Sequence, residues 1–300
     1  MNGPAAPADD RPPADVVLRE AQVRALLAEQ HPDLAGLRLH HEAGGWDNEM
    51  WRLGDDLAVR LPRRDLAVDL AANEARWLPT LAGLVDVVVP APVRIGRPTR
   101  DYPYPWSVVR WIDGTPAWRT PAADRAAWAP RLADVLTDLH VPAPADAPVN
   151  PVRGCPLAER ATVVEDRLAA LPDARQPLAV LWADALAAPT WDGPPVWLHG
   201  DPHPANIVVR DGTLAALVDF GDLTCGDPAS DLATAWLSFD AAGRAAFRAR
   251  LAERGAVDDA LWRRARGWAV ALGAMMALRT ADAAIGAIGR HAVGQLVAEA

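Results

Sequence analysis

The sequence predicts an α+β protein of two lobes, a small strand-rich N-lobe carrying one inserted helix and a large, mostly helical C-lobe. Three observations predict it. Short apolar runs separated by glycine turns fill the first third of the chain, and apolar spacing of the helical kind takes over after Asp113-Gly114. The 300 residues, 51 % hydrophobic and 23 % charged, exceed one average domain and have the composition of an ordinary folded protein.

The elements follow in order. Residues 1–15, MNGPAAPADDRPPAD, place acids and prolines where a secretory leader needs a basic and then an apolar segment, which predicts a disordered extension and a cytoplasmic protein. Val16, Leu18, Val23, Leu26 and Leu27 space a helix over 15–30, stopped by Pro32. Turns at Gly44-Gly45 and Gly54-Asp55-Asp56 separate strands ending in LAVRL, a helix covers 65–82, and WSVVRWI at 106–112 is a further strand. The N-lobe thus spans 16–112 and the C-lobe 113–300, with a hinge near 108–114. Trp128, Leu132, Val135, Leu136 and Leu139 line one face of a helix over 121–140, with Pro121 in its first turn. A Pro/Ala-rich loop at 141–156 precedes helices to about 188. Three short strands, VWL, NIVV and LAALV, follow, the last two joined at Asp211-Gly212, and helices run from Pro228 onward.

Charge and cysteine content narrow the function. A net charge of −9 and a pI near 5.2 exclude nucleic acid and anionic membrane as main partners, because phosphate backbones need a basic face. The apolar run 269–278 is too short to span a bilayer. Cys155 and Cys225 form no C-x-x-C and read as ordinary thiols. The chain has no lysine, so all 30 basic residues are arginine and any site needing a cation must use its planar, permanently charged fork. The expected assembly is a monomer or weak dimer.

The chemistry concentrates in LHGDPHPANIVV, residues 198–209. H-x-D-x-H places His199, Asp201 and His203 on one side of an extended segment, a possible metal site of a hydrolase. The remaining histidines are scattered, and Pro202 and Pro204 break a regular strand. The competing reading uses Asp201 and Asn206 with Asp219, in VDFGD, 13 residues beyond Asn206. A hairpin of that length returns Asp219 toward Asn206, where an amide oxygen and a carboxylate suit Mg²⁺ bridging nucleotide phosphates. Asp201 is then left to accept the proton of an attacking hydroxyl, as in kinase-type phosphoryl transfer.

HGDPHPAN, VDFGD and GDPASDLA in this order resemble the aminoglycoside phosphotransferase family, small-molecule kinases related to the protein kinases. The resemblance implies a protein-kinase-like fold with the nucleotide over the N-lobe sheet and catalysis and acceptor binding in the C-lobe. It implies Asp201 as base or orienter of the acceptor hydroxyl, His199 as a buttress of its loop, Asn206 and Asp219 as Mg²⁺ ligands, and Asp231 as the buried residue that ties down the loop. Arg60 in LAVRLP stands where protein kinases have lysine, with Glu74 to orient it. Gly44, Gly45, Asp47 and Asn48 form the phosphate-covering turn, although only two glycines of G-x-G-x-x-G are present. Backbone groups of Val109 to Trp111 bind the purine of ATP, with GTP open. The implied acceptor is a hydroxyl of an antibiotic of the aminoglycoside or macrolide type, the alternative being a metabolite such as choline or homoserine, or a nucleotide-binding pseudoenzyme. Acids after Asp219, including Asp240, Asp258, Asp259 and Asp282, are balanced by arginines, and the 13 tryptophans favour packing over a ligand platform.

Overall fold

The computed structural model describes residues 13–42 and 44–300, and the chain forms two compact units. One runs to Asp113 and takes in the short segment Val218–Gly221; the other comprises Gly114–Leu217 and Asp222–Ala300.

The first unit is a five-stranded antiparallel sheet with two helices. Its first helix, α1, spans Glu20–Gln30, starting later than the apolar spacing predicts. The physical reason is a competing set of backbone bonds: the amides of Asp15 and Val16 donate to Arg63 O at 2.9 and 3.2 Å, which holds the preceding chain extended. The Asp15 carboxylate also accepts from the Asp65 amide at 2.9 Å. Residues 13–15 are therefore placed against the unit, and 1–12 of the expected extension lie outside the described residues.

Strands β1 (Leu39–His41), β2 (Asn48–Leu53) and β3 (Leu57–Pro62) form a meander, and helix α2 (Ala67–Leu81) follows. Strands β4 (Pro92–Gly96) and β5 (Trp106–Arg110) complete the order β1-β2-β3-β5-β4. Strand β4 has no alternating pattern and escapes the sequence reading; it starts on a proline and leaves Ile95 exposed, as an edge strand permits. Val23, Leu26 and Leu27 of α1 pack with Leu53, Val59, Leu61, Trp106 and Val108 into one core. Strand β3 is central, so Arg60 sits inside the sheet rather than on its edge.

The second unit is mostly helical. The short strand β6 (Thr115–Pro116) leads to a 3₁₀ stretch over Ala122–Trp128, then helix α3 over Ala129–Leu139. One continuous helix over 121–140 is prevented by Pro130, which offers no N–H and is tolerated only in a first turn, so the α-helix begins there. Helices α4 (Ala161–Ala169) and α5 (Arg175–Leu186) are followed by strands β7 (Val196–Leu198), β8 (Ile207–Arg210) and β9 (Thr213–Leu217). The β8–β9 turn is Asp211-Gly212, with φ of 51° and 72°, the twist-matched two-residue hairpin that Asp-Gly favours. Strand β10 (Thr224–Gly226) pairs antiparallel with β7, and helices α6 (Ala229–Leu232), α7 (Thr234–Ser238), α8 (Ala241–Glu253), α9 (Asp259–Ala277) and α10 (Ala283–Val297) finish the chain. Among the described residues no helix is long and apolar enough to cross a membrane.

Aspartates start the last three helices. Asp240 accepts from Gly243 N, Asp258 from Leu261 N, and Asp282 from Ala284 N and Ile285 N. Helices α9 and α10 approach so closely that a Cβ on Gly289 would lie 2.0 Å from Ala277 N. Gly289→Val is expected to cost about 2 kcal/mol or more through overpacking, measured by urea unfolding. His291 donates from Nε2 to Phe239 O at 3.1 Å, and burial pushes its pKa below the usual value. The unfolded chain thus takes up this proton first: the stability contribution is whole above about pH 6.5 and declines as pH falls below it. Unfolding free energies between pH 7.5 and 5 should show that decline in the wild type and a shallower one in His291→Gln.

Candidate active site

Asp231, fully buried in α6, sets the geometry of the 199–206 loop. Its two oxygens accept from the amides of His199 at 2.8 Å and Gly200 at 2.9 Å, and His140 Nε2 lies 3.1 Å from one of them. Gly200 holds φ at +91°, and a Cβ there would meet Asp222 O at 2.1 Å, so only glycine lets the two segments pass. The Asp201 amide donates to His199 Nδ1 at 3.2 Å, the Ala205 amide to His203 Nδ1 at 3.2 Å. Thr234 Oγ1 bonds Pro202 O at 2.6 Å, and Trp118 N bonds Pro204 O at 3.0 Å.

These bonds leave the histidines little to offer a metal. Among the described residues no group of three His, Cys, Asp or Glu side chains is placed to hold one. His203 instead presents Nε2 to Asp201 Oδ2 at 3.3 Å. The other oxygen of Asp201, Oδ1, is buried without a hydrogen-bond donor and lies 3.4 Å from Arg153 Nη2. Burial alone would raise this carboxyl, but His203 and Arg153 outweigh it and hold Asp201 well below the usual carboxylate range. Arg153 Nη2 also reaches Asp222 Oδ2 at 3.0 Å, and Asn150 Nδ2 donates to Asp222 Oδ1 at 2.9 Å. Asn206 turns its Nδ2 onto Asp201 O at 3.1 Å, so the amide oxygen is the atom it can offer a cation. Asn206 immediately precedes β8, whose Ile207 pairs with Leu217 of β9.

The first unit holds the other predicted residues. Arg60 and Glu74 form a two-pronged buried pair, Nη1 to Oε2 at 2.7 Å and Nη2 to Oε1 at 3.1 Å. Burial works against the Arg60 charge, but Glu74 and Asp219 outweigh it and push its pKa up. Phe220 donates its amide to Glu74, which ties the 218–221 segment to α2. Asp219 is exposed and has φ of 62°, a left-handed conformation uncommon for a residue with a Cβ. Asn48, Arg60 and Glu74 line a small cavity with Ala71, Trp106 and Ser107. In the glycine turn, Gly45 N donates to Asn48 O at 2.8 Å and Asp47 pairs with Arg64. A Cβ on Gly44 would lie 2.8 Å from a Glu49 carboxylate oxygen. Val109 is buried opposite Ala58 in the sheet. The backbone N–H of Trp111 donates to Asp56 O at 2.8 Å.

The model of the phosphotransferase enzyme family, APH, matches residues 39–268. The chain belongs to this family. It is therefore a phosphotransferase with an alcohol group as acceptor. Solved structures give the same fold. The GDP and kanamycin complex of APH(2")-IIia superposes with a TM-score of 0.68 at 22 % identity, covering 93 % of this chain and 99 % of that one. The macrolide 2'-phosphotransferase MphH from Brachybacterium faecium, an apoenzyme, gives 0.61 at 25 % identity, covering 91 % and 97 %. The streptomycin-ATP-APH(2")-IIa ternary complex gives 0.56 at 17 % identity, covering 93 % and 97 %. No curated protein sequence matches the chain.

Three residues that contact Asp201, Asp222 or Asp231 escape the sequence reading: Asn150 and Arg153 sit in a Pro/Ala-rich segment that reads as a plain loop, and His140 looks like one of the scattered histidines. Their only sequence signal is the polarity of Asn150 and Arg153 inside an apolar segment. A cavity of about 240 Å³, lined by Leu157, Trp191, Asp227 and Arg264 among others, includes neither Asp201 nor Asn206. Its Asp227 accepts from Ala229 N and takes a two-pronged bond from Arg264, Nε to Oδ2 at 2.7 Å and Nη2 to Oδ1 at 3.2 Å. Asp231→Ala orphans two buried amides and should cost about 3 kcal/mol or more of stability. Amide exchange of the 198–206 segment should speed up in the same variant; slow exchange there would mean that the loop is held by something else.

Proposed function

We propose that this phosphotransferase moves the γ-phosphate of ATP, with GTP as the alternative donor, onto a hydroxyl of an antibiotic or similar natural product of the aminoglycoside or macrolide type, and so confers resistance. The observation that carries the reading is Asp201 Oδ1, a buried, ionised acceptor left without a hydrogen-bond donor in a loop whose backbone is held by Asp231, His199, Thr234 and Trp118. Such an oxygen suits a hydrogen bond that orients an incoming hydroxyl. His199 and Asp231 keep its backbone in place. Kanamycin, streptomycin and macrolides in the names of the similar structures support the acceptor class.

Asn206 through its amide oxygen and Asp219 through its carboxylate each offer the oxygen donor that a hard cation such as Mg²⁺ takes. Mg²⁺ held by such donors would offset charge on the transferring phosphate. Arg60, oriented by Glu74, holds nucleotide phosphate, with the Gly44–Gly45 turn and Asn48 beside it. The backbone of Val109 and the Trp111 carbonyl take the base. Three of the acids counted after Asp219, namely Asp240, Asp258 and Asp282, are spent as helix caps, which removes them as a cationic acceptor's partners. Trp128, Trp182, Trp236, Trp262 and Trp268 are core residues, whereas Trp118 is half-buried beside the catalytic loop and suits a bulky, less charged acceptor.

A transfer screen with labelled ATP or GTP and Mg²⁺ over aminoglycosides, macrolides, choline and homoserine tests this. An antibiotic should be labelled, and Asp201→Asn should lower the rate by roughly 10²-fold or more while Mg²⁺·ATP still raises its melting temperature. Labelling of choline or homoserine alone would refute the acceptor class. Full activity in Asp201→Asn would remove Asp201 from its role.

A further inference from the structure

We infer that Arg153 is a positioning residue, a clamp that holds the Asp201 and Asp222 carboxylates in register on either side of Gly200. The inference rests on the phosphotransferase reading of Asp201 and adds a residue to it.

Arg153 is buried, and its Nη2 lies 3.4 Å from Asp201 Oδ1 and 3.0 Å from Asp222 Oδ2. One cation thus stands between two acids that would otherwise repel, in a place with little solvent to screen them. At 3.4 Å the Asp201 contact acts chiefly through charge, and Oδ1 takes no aligned hydrogen bond. Asp222 has no such freedom, because Asn150 takes its other oxygen.

The segment that carries Arg153 is itself fixed. Asn150 N donates to Thr224 Oγ1 at 2.8 Å, Asn150 Oδ1 accepts from Val152 N at 2.9 Å, and Asp227 N donates to Gly154 O at 3.0 Å. These bonds stitch 150–154 to the β10 region, so Arg153 is presented from a rigid support. A head group with one charged nitrogen would span the two carboxylates less well than the planar fork.

The test compares full-length wild type, Arg153→Gln, Arg153→Lys and Arg153→Ala with and without added guanidinium. Hydrogen exchange without nucleotide reads the clamp directly: segments 198–206 and 219–227 should exchange faster in Arg153→Gln, and guanidinium should slow them again in Arg153→Ala. Turnover of Mg²⁺·ATP with water as acceptor reads its consequence. Arg153→Gln should lose roughly 10²-fold in kcat with KM for ATP within about threefold, as a misplaced reacting group does. Arg153→Lys should recover part of that loss, and guanidinium should restore Arg153→Ala. Unchanged exchange in Arg153→Gln, or a loss confined to KM, overturns the clamp. A wild type without turnover counts against the phosphotransferase reading instead, and exchange then decides the clamp by itself.

Discussion

The arrangement of the 199–206 loop depends on one buried carboxylate. Asp231 is fully buried, and a charge there is tolerated only because two backbone amides and His140 meet its oxygens. By drawing the amides of His199 and Gly200 to the start of α6, it bends the chain through a conformation that glycine alone adopts readily. Asp201 leaves that bend with its amide on His199, its carbonyl bonded by His203 N and Asn206 Nδ2, and one carboxylate oxygen without a donor. That oxygen is buried without a donor, while the backbone around it is committed.

A chain without lysine builds its buried charge from arginine. Arg60 spends two nitrogens on Glu74, and Arg264 two on Asp227 and a third on Pro189 O. Arg125 bonds the carbonyls of Trp118, Thr120 and Ser238, with no acidic partner among the described residues, and burial lowers its pKa. Each network uses several donors in one plane, which an ammonium cannot supply. Arg60 is matched by a two-pronged carboxylate, so its large head has a defined place.

The parts legible in the sequence were those with local causes. The Asp211-Gly212 turn follows from the φ values that dipeptide tolerates, and the β8–β9 strands from their apolar runs. Pro130 was visible too, yet its effect on the 121–140 helix was outweighed in reading by the regular apolar face on both sides. Arg153, Asn150 and His140 had no local cause. They lie 48, 72 and 91 positions from their partners, and nothing in their own neighbourhoods distinguishes a clamp or an anchor from solvated loop residues. The same holds for the acids after Asp219: charge counting sets them against a similar number of arginines, whereas three of them cap helices.

By itself the sequence determined the α+β class, the order of the elements other than short strands such as β4 and β10, and the family, because hydrophobic period, turn chemistry and ordered polar motifs are properties of neighbouring residues. Tertiary structure alone decided which oxygen of Asp201 is left without a donor, that Arg60 is central and paired, and that an arginine from a Pro/Ala-rich loop stands between two carboxylates. Those facts depend on hydrogen-bond and charge partners brought together by folding, and spacing along a chain does not encode which buried group will be satisfied by which.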